Sequence, residues 1–156
     1  MVRGSTDADG PLAPAAALEG YPVTVRFTVH WGEMDALGHV NNARYFTWFE
    51  SARMALFERL GLAGSGRPTL GPILAHARCD FLAPVRYPAE VEVGARIREL
   101  GTTSFVMEYA AVCTDAPGTP VAQGEGVVVL IDYTSGAKVP IPAALRAALE
   151  ALRPAG

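Results

Sequence analysis

Between Ala43 and Leu60 apolar side chains return at steps of three and four: Ala43, Phe46, Phe49, Ala52, Leu56, Phe57 and Leu60, widened by Tyr45, Trp48 and Met54. Arg44, Thr47, Glu50, Ser51, Arg53, Glu58 and Arg59 are left for the other side. This is the period of an amphipathic α-helix about 27 Å long. Gly61 is a natural stop. Large aromatics and several aliphatics line the stripe, so the helix has to lie across a sheet and not at the periphery.

The rest of the chain supplies that sheet. From Tyr21 the sequence alternates, with Val23, Val25, Phe27, Val29 and Trp31 on one face and Thr24, Arg26, Thr28 and His30 on the other, as a half-buried strand does. Gly32 to Val40 reads as a loop in which Gly38 can take a positive φ. Asn41 or Asn42 then offers an N-cap, with the helix starting at Asn42. After a loop over Leu62 to Gly71, strands are expected at Ile73 to Leu82, Glu90 to Leu100, Ser104 to Thr114 and Pro120 to Tyr133. The short loops joining the last three imply antiparallel neighbours. Gly124 and Gly126 mark a bulge or a close approach by another backbone. Pro142 opens a closing helix that carries Leu145, Ala148, Leu149 and Leu152 on one face. The expectation is an α+β fold in which a five-stranded antiparallel sheet curves around one long helix. It leaves a sheet face and edges open, so a homo-oligomer is expected.

At 156 residues, half of them hydrophobic, the chain can bury one substantial core, and residues 21–156 read as a single domain. The first twenty or so residues, rich in Ala, Gly and Pro, read as a flexible extension. A net charge of -3, with thirteen scattered Lys and Arg, gives no basic field for nucleic acid. Cys79 and Cys113 fall in apolar strand-like runs and are expected reduced and buried. No apolar run approaches the roughly 20 residues that span a bilayer, and the N-terminus lacks a signal-peptide pattern, so a cytoplasmic, non-membrane protein is expected.

Chemistry concentrates where strand, loop and helix meet. Asp35 precedes the helix start at Asn42, and a helix N-terminus presents unpaired N–H groups and the positive end of the macrodipole. A carboxylate beside such an oxyanion-binding end suits attack on a carbonyl. Other constellations are missing: there is no G-x-S-x-G elbow, Walker loop or G-x-G-x-x-G. His30, His39 and His76 lack His-x-x-x-His spacing and two isolated cysteines complete no zinc pattern, so no metal site is expected. None of the histidines begins the His-x-x-x-Gly motif of dehydratases of similar fold.

The segment VRFTVHWGEMDALGHVNNARYFTWFESAR, followed by DFLAPVRYPAEVEV, LGTTSFVMEY and VAQGEGVVVLIDYTSGAKVPIP, resembles the 4-hydroxybenzoyl-CoA thioesterase family of hotdog-fold acyl-CoA thioesterases over about residues 21–143. The D-x-x-G-H-V-N-N loop is its most specific part, and GHVNN also resembles the loop of acyl-ACP thioesterases. The resemblance implies a hotdog fold, hydrolysis of an acyl- or aroyl-CoA without a cofactor, and a homodimer or homotetramer with active sites at the subunit interface. It implies Asp35 as nucleophile or general base and the Asn42 backbone N–H as carbonyl polariser, with Glu33 in the place of a second acid. Relatives bind CoA phosphates partly through basic residues near the third-to-fourth strand turn. Here that turn is Gly101-Thr102-Thr103-Ser104, and Thr103 and Ser104 are its candidate substrate contacts.

Each candidate has a plainer role beside the chemical one. Asp35 can be a turn-stabilising Asx residue, and His39 can orient the loop, bind substrate or assist proton transfer. Asn41 and Asn42 can serve as caps, Glu33 as a solvated or salt-bridged acid, and Tyr45 as a packing residue that also lines the acyl pocket. With the resemblance, catalysis by Asp35, Asn42 and His39 is the expectation, with Glu33, Asn41 and Tyr45 beside the substrate. The alternatives are an acyl-ACP thioesterase and a non-catalytic acyl-thioester-binding protein.

Overall fold

The computed structural model describes residues 15–63 and 69–155. Five strands form one antiparallel sheet: β1 (Val23–Thr28), β2 (Leu70–Phe81), β3 (Glu90–Leu100), β4 (Ser104–Cys113) and β5 (Pro120–Asp132). Their spatial order is β1-β3-β4-β5-β2. The chain therefore leaves one edge of the sheet at β1 and re-enters at the other edge as β2. What connects them is α1 (Asn42–Arg59), which must cross the sheet's concave face. A short α2 (Ala143–Ala151) follows β5.

The helix buries Tyr45, Trp48, Phe49, Ala52, Leu56 and Phe57. Phe49 stacks on Tyr109 of β4 with ring centroids 4.9 Å apart, Trp48 on Phe27 of β1 at 6.3 Å, and Phe57 meets the edge of Phe105 at 6.3 Å. At ~25 cal/mol per Å² of apolar area removed from water, each such ring contributes about 2 to 3 kcal/mol. α1 rests mainly on β1 and β3 and stands away from β2, which leaves a cleft along the β2 edge.

Several expectations change on contact with the structure. β1 ends at Thr28, and Trp31, expected on its inner face, starts a 3-10 turn and is 72% exposed. β2 begins at Leu70, so Leu70 and Gly71 belong to a strand and not to the preceding loop, whose residues 64–68 lie outside the described residues. Phe46 and Met54 of the expected buried stripe are exposed, whereas Arg53, expected on the polar side, is buried. The bulges fall at Leu74/His76, Ile97/Glu99 and Ala111/Val112, away from Gly124 and Gly126. At those glycines the close neighbours are Phe49 and the Arg78 carbonyl for Gly124, and Tyr109 and Leu74 for Gly126.

Of the expected flexible extension, residues 1–14 lie outside the described residues, and of residues 15–20 Ala15 and Leu18 are buried while Ala16, Glu19 and Gly20 are exposed. Ala15 and Leu18 bury themselves against Ala110 and Val112 on the convex sheet face. The Ala15 N–H donates to Glu92 at 3.2 Å, and Arg26 pairs with the same carboxylate oxygen at 3.2 Å. Glu92 is almost fully buried, so these partners offset its desolvation.

Cys79 and Cys113 are free thiols and, against the expectation of full burial, both are only half-buried. Burial, with the Asp80 charge adding, pushes the Cys79 thiol up to about 11. The thiolate is the reactive form, so alkylation of Cys79 at neutral pH is expected to run about two orders of magnitude slower in the folded protein than in the unfolded chain. Its rate should climb as pH rises toward that value. Mass spectrometry of iodoacetamide-treated native protein checks this, and fast neutral-pH labelling would contradict it.

Candidate active site

The loop between β1 and α1 is closed on itself. Met34 and Val40 form an antiparallel bridge, the Asp35 N–H donates to the His39 carbonyl at 3.0 Å, and Gly38 N–H donates back to the Asp35 carbonyl at 3.0 Å. That ring requires the positive φ of +79° that Gly38 adopts. Glu33 locks the base of the loop. Its carboxylate accepts the His30 N–H at 2.7 Å, and its carbonyl accepts the Asn41 N–H at 2.9 Å. Among the described residues Glu33 has backbone partners and no salt bridge.

Asp35 is exposed at the tip. Its Oδ1 accepts the Leu37 N–H at 2.9 Å, the Asx-turn geometry, while Oδ2 faces Asn41 Nδ2 at 3.4 Å. The turn role and a chemical role are compatible, because one oxygen is held by the backbone while the other points toward the helix start.

At that start Asn41 is the N-cap, accepting the Ala43 N–H at 2.9 Å, and its carbonyl accepts the Arg44 N–H at 2.9 Å. Among the described residues the Asn42 N–H has no acceptor. This is the orphan donor of a helix first turn, left for a ligand or water. Replacing Asn41 with Ala removes both the cap and the contact to Asp35. It is expected to cost about 1 kcal/mol of stability, read from the urea midpoint.

Two hollows meet at Asp35. One, of about 290 Å³, is lined by Asp35, His39 and Asn42 with Leu37, Tyr45 and Phe81 and opens along β2. The other, of about 380 Å³, is more polar, with Glu33, Asn41, Arg44 and Thr47 around Asp35. Tyr45 is buried, packs against Trp48 at 4.8 Å and Phe81 at 5.1 Å, and also borders the first hollow. Burial, with nearby Cys113 and Cys79 adding, raises its phenol above the usual range, so it stays a neutral donor.

The structure thus brings Asp35, His39, Asn42 and Tyr45 around one hollow and Asp35, Glu33 and Asn41 around the other. Thr103 and Ser104 are not among them. They sit in the β3–β4 turn near α2, where the Thr103 carbonyl accepts the Leu130 N–H at 2.8 Å. The Asp35 loop adjoins the opposite end of β3, roughly 33 Å away along the strand. Reading the sequence for site residues missed Phe81 and Leu82, whose only signal is their place at the end of β2. Among the described residues no cluster of three or more His, Cys, Asp or Glu stands ready to hold a metal ion, and no helix is long and apolar enough to cross a membrane.

The sequence model of the thioesterase-like superfamily matches residues 29–149. A thioesterase from Thermus thermophilus, solved with coenzyme A and Zn, is 36% identical, with 86% of this chain and 96% of that chain covered and a TM-score of 0.74. A gentisyl-coenzyme A thioesterase is 29% identical over 81% of this chain and 98% of its own, with a TM-score of 0.70. The L-carnitine dehydrogenase/betainyl-CoA thioesterase of Agrobacterium fabrum is 29% identical over 128 residues, which are 80% of this chain and 25% of that protein.

Proposed function

The chain belongs to the thioesterase-like superfamily, and from that premise we propose that it hydrolyses an acyl- or aroyl-CoA to the free acid and CoA, with Asp35 as nucleophile or general base. The observation that carries this reading is the orphan Asn42 N–H bordering the same hollow as the Asp35 carboxylate. A thioester carbonyl seated there has its oxygen at the helix N-terminus, where developing negative charge is stabilised, and its carbon beside the carboxylate.

As base, Asp35 takes a proton from water, hydroxide oxygen bonds to the carbonyl carbon, the C–S bond breaks, and the thiolate is protonated. As nucleophile, Asp35 displaces the thiolate to give a mixed anhydride, which water then opens. His39 and Glu33 hold the loop in place, and Asn41 keeps the Asp35 carboxylate oriented. No step calls for a cofactor.

The hollow along β2, with Leu37, Tyr45, Phe81 and Leu82 in its walls, suits the acyl group, and the more polar hollow suits the pantetheine arm. The relatives solved with coenzyme A or named for coenzyme A thioesters favour CoA over a carrier protein. The assignment to the 4-hydroxybenzoyl-CoA thioesterase branch rests on the D-x-x-G-H-V-N-N loop.

A second copy of the chain belongs to this reading. β2 is an edge strand, and Phe46, Met54, Ile73, Leu74, Phe81 and Leu82 leave an exposed apolar flank beside the cleft. Given the length of β3, Thr103 and Ser104 reach an Asp35 site only from another subunit.

The test is free-thiol release by purified protein from short, medium, long-chain and aromatic acyl-CoAs, with Asp35→Asn alongside. Turnover abolished by the substitution supports the hydrolase. Absence of turnover with every acyl-CoA removes the CoA-hydrolase reading and leaves acyl-ACP hydrolysis or simple thioester binding.

A further inference from the structure

The first turns of α1 set a phenylalanine in line with the Asn42 N–H. Asn42 and Phe46 are four positions apart, so they share one face of the helix and lie about 6 Å apart along its axis. Phe46 is 40% exposed, so the core does not account for its size. Its ring meets Phe81 of β2 and Phe49 edge-on, each at 6.5 Å.

The Phe46–Phe81 contact crosses the cleft between α1 and β2 where two hollows adjoin. Phe81 borders the hollow of about 290 Å³ at Asp35, and Phe46 borders another of about 160 Å³ with Phe49, Leu74 and Ala77 in its walls. On β2 the next residues that share a face with Phe81 are Cys79 and Ala77, both small. Past Phe81, Phe46 is therefore the bulky side chain that interrupts the cleft.

We infer that the Phe46–Phe81 pair ends the acyl hollow and restricts this chain to short acyl groups. The inference rests on the thioesterase reading and on the second copy that closes the open flank of the cleft. A carbonyl held at the Asn42 N–H has about 6 Å of cleft before the Phe46 ring. Both the N–H and the ring lean toward the helix N-terminus, so that offset is kept. It is the reach of a short chain such as hexanoyl. A decanoyl chain has either to part the two rings or to leave the cleft for water, and both routes forfeit burial that the shorter chain keeps whole. One methylene in an apolar pocket is worth about 10- to 200-fold in discrimination, so several that find no pocket cost at least about tenfold.

The experiment compares hexanoyl-CoA with decanoyl-CoA on the full chain. Wild type is expected to favour hexanoyl-CoA by about tenfold or more in kcat/KM. Phe46→Ala joins the two hollows and should raise kcat/KM for decanoyl-CoA by about tenfold, bringing the ratio near one. Phe46→Trp thickens the partition and should widen the ratio. Melting curves and sedimentation accompany both variants, and opposite shifts from one position are what neither a loosened fold nor a lost subunit contact produces. Wild type that takes decanoyl-CoA as well as hexanoyl-CoA, or better, overturns the proposal and leaves the thioesterase standing. So does a ratio that the two substitutions leave unmoved or move in the same direction. If neither substrate is hydrolysed, the thioesterase reading fails and calorimetry of the same two esters decides. Tighter binding of hexanoyl-CoA in wild type, with the difference narrowed in Phe46→Ala, still supports the partition, and equal or absent binding overturns it.

Discussion

Replacing Asp35 with Asn is expected to lower kcat by about 10²- to 10⁴-fold, the usual worth of a positioned general base. A role as covalent nucleophile predicts a loss at least as large. Stability should hardly move. The asparagine carbonyl can still accept the Leu37 N–H that Asp35 Oδ1 now accepts at 2.9 Å, and the position is exposed, so the Asx turn survives. KM for acyl-CoA should stay close to wild type, because the amide fills the same space and the Asn42 N–H is untouched.

The companion variant Asn42→Ala sharpens the test. The cap is made by Asn41, so capping does not depend on the Asn42 side chain, and the Asn42 backbone donor survives the substitution. Turnover should fall far less than for Asp35→Asn. Steady-state thiol release from both variants, with melting curves to check folding, decides the matter. Equal losses would mean that the Asn42 side chain takes part, and an unimpaired Asp35→Asn would reduce Asp35 to its turn role.

The helix and its junction were legible because their signals are local. The three- and four-residue period from Asn42 onward, a capping asparagine and Gly38 in a tight loop each depend on neighbours within a few positions. The limits of β3 were legible for the same reason, since period-two alternation runs between turn residues at both ends. Arg53 was not, because its burial depends on Tyr109, which only the sheet brings opposite the helix. Trp31 failed in the opposite sense: the alternation continues through it, but Glu33 turns the backbone by capping at His30 and carries the indole into solvent. Phe81 and Leu82 join the site only because β2 is the far edge of the sheet, which no local pattern encodes.

That long-range geometry makes Gly124 the most sensitive structural position beneath the site. A Cβ built there would lie 2.3 Å from Phe49 Cε2 and 2.8 Å from the Arg78 carbonyl oxygen. The first contact is with a ring stacked on Tyr109 at an interplanar angle of 12°, and the second is with β2 backbone, so neither can step aside freely. Gly124→Ala must therefore lift α1 or part β2 from β5, at a cost of about 1 to 3 kcal/mol. For a chain of this size each kcal/mol is worth about 2 to 4 °C in Tm. The cleft between α1 and β2 should move with it, so turnover is expected to fall even at temperatures where the variant stays folded. Phe49→Leu in the Gly124→Ala background separates the two clashes. If the ring is the main obstacle, the double variant will lose less stability than the sum of the singles, because the shorter side chain leaves room for the new methyl. Additive losses would place the strain on the Arg78 carbonyl and the β2–β5 ladder instead.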